Sequence, residues 1–214
     1  MSHGQMVVAL LLNALLIALE VWAVKVRYGE VGIGMFRFYT LCSNALALCT
    51  AMVTLVCLLS MGSIPLPARL LKYVACCTQT ITFLVVICVL TPMLNAAGQP
   101  GWHLMFMTSG RMVTHLLGPL LTVASWLLCE TSLCEAQTMP GSWSIFVSLI
   151  PTLAYATVAY ACNYLRLWDG PYPFLRVWNM SLWKTVTWFV VLLAAAMAIA
   201  VGLQFAEGQV MQLC

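Results

Sequence analysis

Thr40 opens a short run of groups able to do chemistry. Arg37, Thr40 and Asn44 stand at i, i+3 and i+7, a spacing that puts all three on one face of a helix. A hydroxyl flanked by a cation and an amide offers a nucleophile and two groups suited to a developing oxyanion. Arg111 and His115 are four apart, again on one helical face, with Gly118 and Pro119 following. A third element, Trp168-Asp169-Gly170-Pro171-Tyr172-Pro173-Phe174, contains two prolines, which restrict the backbone and predict a stiff loop. An alcohol with an imidazole in reach is the general arrangement for covalent catalysis. Each group also has a plain structural use. Arg37 can snorkel to headgroups, Thr40 can bond back to its own helix, and Asn44 can tie two helices together.

The elements that must position these residues follow from composition. The 214 residues are 63% apolar and 7% charged, with a mean hydropathy of +0.99. A soluble domain carries about 25% charged residues, so an ordinary soluble enzyme and a disordered regulator are excluded. The net charge of +3 is too small and too scattered to track a nucleic-acid backbone. Six apolar stretches, at about 6–24, 38–60, 70–94, 111–129, 143–163 and 182–204, approach the roughly 20 residues a helix needs to cross hydrocarbon. They are too long and too unalternating for barrel strands. The expectation is an all-α integral membrane bundle of six transmembrane helices, filling 1–214 as one domain. Breakers separate the stretches: Gly32 and Gly34; Gly62, Pro65 and Pro67; Asn95, Gly98, Pro100 and Gly101; Pro140 and Gly141; Gly170, Pro171 and Pro173. The first stretch has no basic residue before it and is long for the core of a signal peptide, so it reads as a retained helix.

An even number of spans sets both termini on one side, and the starts of the second and fourth helices on the other. Thr40, His115 and the fifth loop therefore enter from the same face. The odd loops and their flanks carry Lys25, Arg27, Arg37, Arg111, Arg166, Arg176 and Lys184, against Arg69 and Lys72 opposite. Positive-inside counting thus places the odd loops in the cytoplasm. Of ten cysteines, Cys42, Cys49, Cys57, Cys76, Cys77 and Cys88 lie within apolar runs and read as small hydrophobes. Cys129 and Cys134 lack C-x-x-C spacing, and no ligand set predicts a metal or another cofactor. Ala194, Ala195, Ala196 and Gly202 would allow close packing within the bundle or between copies alike, so no particular oligomeric state is expected.

Three motifs in order carry a resemblance. They are Phe36-Arg37-Phe38-Tyr39-Thr40 with Ser43-Asn44, His115-x-x-x-Pro119, and Tyr172-Pro173-Phe174-Leu175. Together they resemble the androgen-induced and androgen-dependent multi-span threonine hydrolases, in particular a bacterial-type branch, over about residues 30–205. The resemblance implies six helices and hydrolysis of lipid esters, in animal members fatty acid esters of hydroxy fatty acids. It places the nucleophilic threonine at Thr40 and the essential histidine at His115. It also implies cytosolic termini, against the charge count. Relatives often carry an acid just after the Tyr-Pro-Phe-Leu element, where this chain has Arg176.

The expected activity is therefore a threonine-dependent carboxylic ester hydrolase of the serine-hydrolase type, acting on a lipid or fatty-acyl ester within the membrane. Thr40 and His115 are the catalytic candidates. Arg37, Asn44, Arg111, Tyr172 and Arg176 are the candidates for holding substrate or oxyanion. Two other activities use the same pocket: acyl transfer to a lipid acceptor, and lipid binding or transport without chemistry. Cys42 is a weaker nucleophile candidate, because two residues from Thr40 it points to another face.

Overall fold

The structure, a computed structural model, describes residues 3–134 and 141–213. It is an all-α bundle containing six helices long and apolar enough to cross a membrane. The first, α1, runs from His3–Val31 and continues as a 3-10 turn, Gly32–Arg37. The others are α2 (Tyr39–Met61), α3 (Leu66–Ala96), α4 (Gly110–Leu133), α5 (Trp143–Tyr164) and α6 (Leu182–Gln212). This is the make-up of a multi-pass membrane protein. The breaker Pro140 lies outside the described residues.

Several boundaries differ from the hydropathy reading. Helix α1 does not stop near Val24, because Lys25 and Arg27 leave the apolar stretch without breaking the helix. It ends where Gly32 takes a left-handed conformation, φ +58°. Pro67 does not extend the second loop. It sits in the first turn of α3, where its missing N–H has no helical partner to lose. Helix α6 continues past Gln204 because Glu207 is buried and paired rather than solvated.

Helix α3 is the axis of the bundle, touching α2, α4, α5 and α6, while α1 packs on α2 and α4. Over their most apolar windows, α3 is 56% buried but α5 and α6 only 17% and 11%, so the outer pair presents most of its surface to lipid. Two prolines shape the inner helices. Pro92 and Pro119 each follow a widened π turn, Val86–Leu90 and Val113–Leu117. Proline removes a donor and crowds the carbonyl four residues back, and a wider turn relieves both. For Pro119 that carbonyl belongs to His115.

The end of the bundle holding Arg69 and Lys72 is closed by buried ion pairs. Arg69 donates through Nε and Nη2 to Glu207 at 2.9 and 2.7 Å, linking α3 to α6. Lys72 Nζ donates to Glu130 at 3.0 Å and to Asn13 Oδ1 at 2.9 Å, linking α3, α4 and α1. Asn13 in turn donates to Glu130 at 2.7 Å. These two basic groups, counted in the topology tally as loop charges, are thus buried structural groups. Cys134 donates to the Glu130 carbonyl at 3.2 Å, and the other eight described cysteines, Cys129 included, are free thiols.

Candidate functional site

At the opposite end lies a cavity of about 420 Å³. Thr40, His115, Arg111 and Tyr172 line it, together with Arg27, Thr114 and the apolar Leu90, Met93 and Leu94. Thr40 reaches it from the first turn of α2, where Phe38 in extended conformation caps the helix and its carbonyl accepts from Leu41 and Cys42. His115 reaches it from the π turn before Pro119. Both residues are nearly buried, at 5% and 8% exposure.

Tyr172 arrives from the loop between α5 and α6. Gly170 lets this loop fold tightly: a Cβ there would stand 2.8 Å from the Leu175 backbone. Asn163 fixes the loop to the end of α5, accepting from the Val177 N–H at 2.8 Å and donating to the Trp168 carbonyl at 3.3 Å. Tyr172 stacks on Phe174 with ring centroids 5.2 Å apart and meets Phe38 edge-on. Its hydroxyl lies 3.3 Å from Thr40 Oγ1 and accepts from the Thr40 N–H at 3.4 Å. Burial holds the Tyr172 phenol above its ordinary pKa, with the Thr40 contacts acting the other way, so it remains a protonated donor at neutral pH.

His115 Nδ1 lies 2.9 Å from the Met105 carbonyl. A carbonyl can only accept, so Nδ1 carries the proton and Nε2 of the neutral ring keeps its lone pair. Among the described residues Nε2 has no hydrogen bond, and none joins His115 to Thr40. Both residues line the one cavity. Arg111 donates to the Leu104 carbonyl at 3.0 Å. Arg27 is paired with Glu30 and stands over the Phe38 ring.

A narrower apolar slot of about 70 Å³ meets the same threonine from the other side. Ile81, Val85, Leu153, Phe174, Phe189 and Leu192 line it together with Thr40 and Tyr172. The exposed Leu153 puts its rim at the outer surface of the bundle. Thr40 and Tyr172, with Leu90, thus line both a chamber with cations and a slot suited to hydrocarbon.

Three sequence candidates are placed elsewhere. Arg37 lies in the 3-10 turn before the extended Phe38, so the helical spacing that aligned it with Thr40 does not apply. Its side chain is exposed, and only its carbonyl is engaged, by the Tyr155 hydroxyl at 2.7 Å. Arg176 is exposed as well and donates to the Gly170 carbonyl at 3.2 Å, which braces the loop from outside. Asn44 is fully buried, and its amide donates to the Thr40 and Thr114 carbonyls at 2.6 and 3.1 Å. With both amide protons engaged, it has none left for an oxyanion.

Sequence reasoning passed over Arg27 and Glu20. The available signal was period seven: Asn13, Glu20 and Arg27 recur every two turns along α1, and all three are buried. No protein-family model, curated protein or solved structure matches the chain. The functional reading therefore rests on the residues and their geometry.

Proposed function

We propose that the chain is an intramembrane lipid-ester hydrolase with Thr40 as nucleophile and His115 as general base. The observation that carries the reading is the cavity itself: an alcohol, an imidazole whose Nε2 has no hydrogen bond among the described residues, a phenol donor and two arginines line one space. A hydrocarbon slot begins at the same alcohol. The acyl chain occupies the slot, and the polar end of the ester lies in the chamber near Arg111, whose planar donors suit a carboxylate or headgroup.

In the reaction His115 Nε2 takes the Thr40 hydroxyl proton as Oγ1 attacks the ester carbonyl. Hydrogen bonds at catalytic pairs are commonly long before substrate binds, and they close in the complex. The Tyr172 phenol donates to the carbonyl oxygen as charge develops there. The tetrahedral adduct collapses to an acyl-threonine, and the departing alcohol takes the proton from His115. Water entering the chamber then gives up a proton to His115, attacks the acyl carbon and releases the fatty acid. As the acyl–Oγ1 bond breaks, Thr40 takes back a proton from His115, which returns both residues to their starting states.

The test uses purified protein, a long-chain lipid ester and a fluorophosphonate probe. His115→Ala should lose turnover by about 10²–10⁴-fold, the range of a missing general base, and Thr40→Ala, which removes the nucleophile itself, should lose more. Thr40→Ser should keep measurable activity. Retained labelling and turnover in both alanine variants would end the reading. Product formed only when an acceptor lipid is added would instead assign acyl transfer.

A further inference from the structure

One buried acid takes no part in the proposed chemistry. Glu20, in the middle of α1, is fully buried, and both of its carboxyl oxygens lack a hydrogen-bond partner among the described residues. Among the described residues no basic side chain is paired with it. Arg69 and Lys72 are engaged by Glu207 and Glu130, and Arg27 is paired with Glu30. The nearest geometry is set by Gly118 of α4. A Cβ built there would lie 2.4 Å from Glu20 Oε1, 2.9 Å from Asn44 Oδ1 and 3.0 Å from the Val113 carbonyl oxygen. Three oxygens from α1, α2 and α4 therefore converge over one glycine.

The hydrogen-bond inventory settles who can donate. The Asn44 amide gives its protons to the Thr40 and Thr114 carbonyls, which can only accept, so the amide cannot be flipped. Asn44 Oδ1 is consequently the atom left facing Glu20, buried and without a donor. An ionised carboxylate against two lone-pair acceptors, without a paired basic side chain, is costly in a membrane interior.

We propose that Glu20 is held as a neutral carboxylic acid that donates its proton to Asn44 Oδ1. The acid, the amide and the Thr40 and Thr114 carbonyls then form one clasp joining α1, α2 and α4. Glu20 is a positioning residue: through Asn44 it fixes the turn that carries Thr40 and the turn that carries His115. Its consequence for turnover rests on the hydrolase reading, but its protonation does not.

Infrared spectroscopy of the purified protein at neutral pH reads the proton directly. The wild type should show a carboxylic-acid carbonyl band that shifts in D2O, is lost in Glu20→Gln, and is the same in sodium and choline salts. Glu20→Gln, whose amide can still donate to Asn44, should unfold near the wild-type temperature and keep most of its turnover, whereas Glu20→Leu should lose several degrees and much of its turnover. If Glu20→Gln does not fold, the wild-type band and its salt response still decide. Absence of the band overturns the proposal. Its disappearance on adding sodium also overturns it, by making the oxygen cluster a cation site. A dead enzyme with the band intact would count against Thr40 chemistry and leave the clasp standing.

Discussion

The two polar ends of this bundle use similar groups to opposite effect. At one end Arg69–Glu207 and Lys72–Glu130–Asn13 bury full charges, and direct hydrogen bonds of 2.7–3.0 Å hold them. At the other, Thr40, His115, Arg111 and Tyr172 surround about 420 Å³ of open space, and the imidazole keeps one nitrogen without a partner. Polar groups in a membrane interior are costly at both ends. Where they are mutually satisfied with no space between them, they lock helices. Where space is left and a lone pair is left over, the arrangement suits a ligand. Residue type alone would rank the ion pairs as the stronger functional candidates, and the geometry reverses that order.

The largest effect separating the two ends should come from the locked one. Lys72→Met leaves Glu130 buried and without its cation, which costs about 3–5 kcal/mol. In detergent this should appear as a large fall in unfolding temperature. Combining it with Glu130→Leu and Asn13→Leu, so that no member of the network is left without a partner, should recover most of the loss, because apolar residues of similar volume often replace a buried ionic network at little cost. Thr40→Ala should do the reverse, losing about 10⁴-fold or more in turnover while costing about 1 kcal/mol of stability for one hydroxyl contact. Tyr172→Phe, which removes one oxyanion donor, should lower turnover by about 10²-fold with the apolar slot unchanged. The smallest effect belongs to Arg176→Gln. Turnover on an ester carrying a carboxylate should stay within about twofold, as expected for a surface substitution, whereas Arg111→Gln should raise KM for that ester.

Much of the architecture was legible because it depends on local signals. Six apolar stretches and their breakers gave the six helices, and the even count brought Thr40, His115 and the fifth loop to one face. What was not legible depended on backbone detail or on distant pairing. Extended Phe38 separates Arg37 from the register of α2, a conformation that residue spacing does not reveal. Asn44 seemed free to donate until its two carbonyl partners, one of them 70 residues away, were in place. Arg69 meets Glu207 across 138 residues, beyond any helical periodicity. Glu20 and Arg27 were visible as a seven-residue repeat with Asn13, but an amphipathic stripe that narrow is masked by the apolar residues around it.

The most direct test of the account is mass-spectrometric mapping of the residue that a fluorophosphonate or an acyl ester modifies in the wild-type protein. The account predicts an adduct on Thr40 that is lost in Thr40→Ala and strongly slowed in His115→Ala. An adduct on Cys42 or Ser43, or labelling of Thr40→Ala at the wild-type rate, would contradict it.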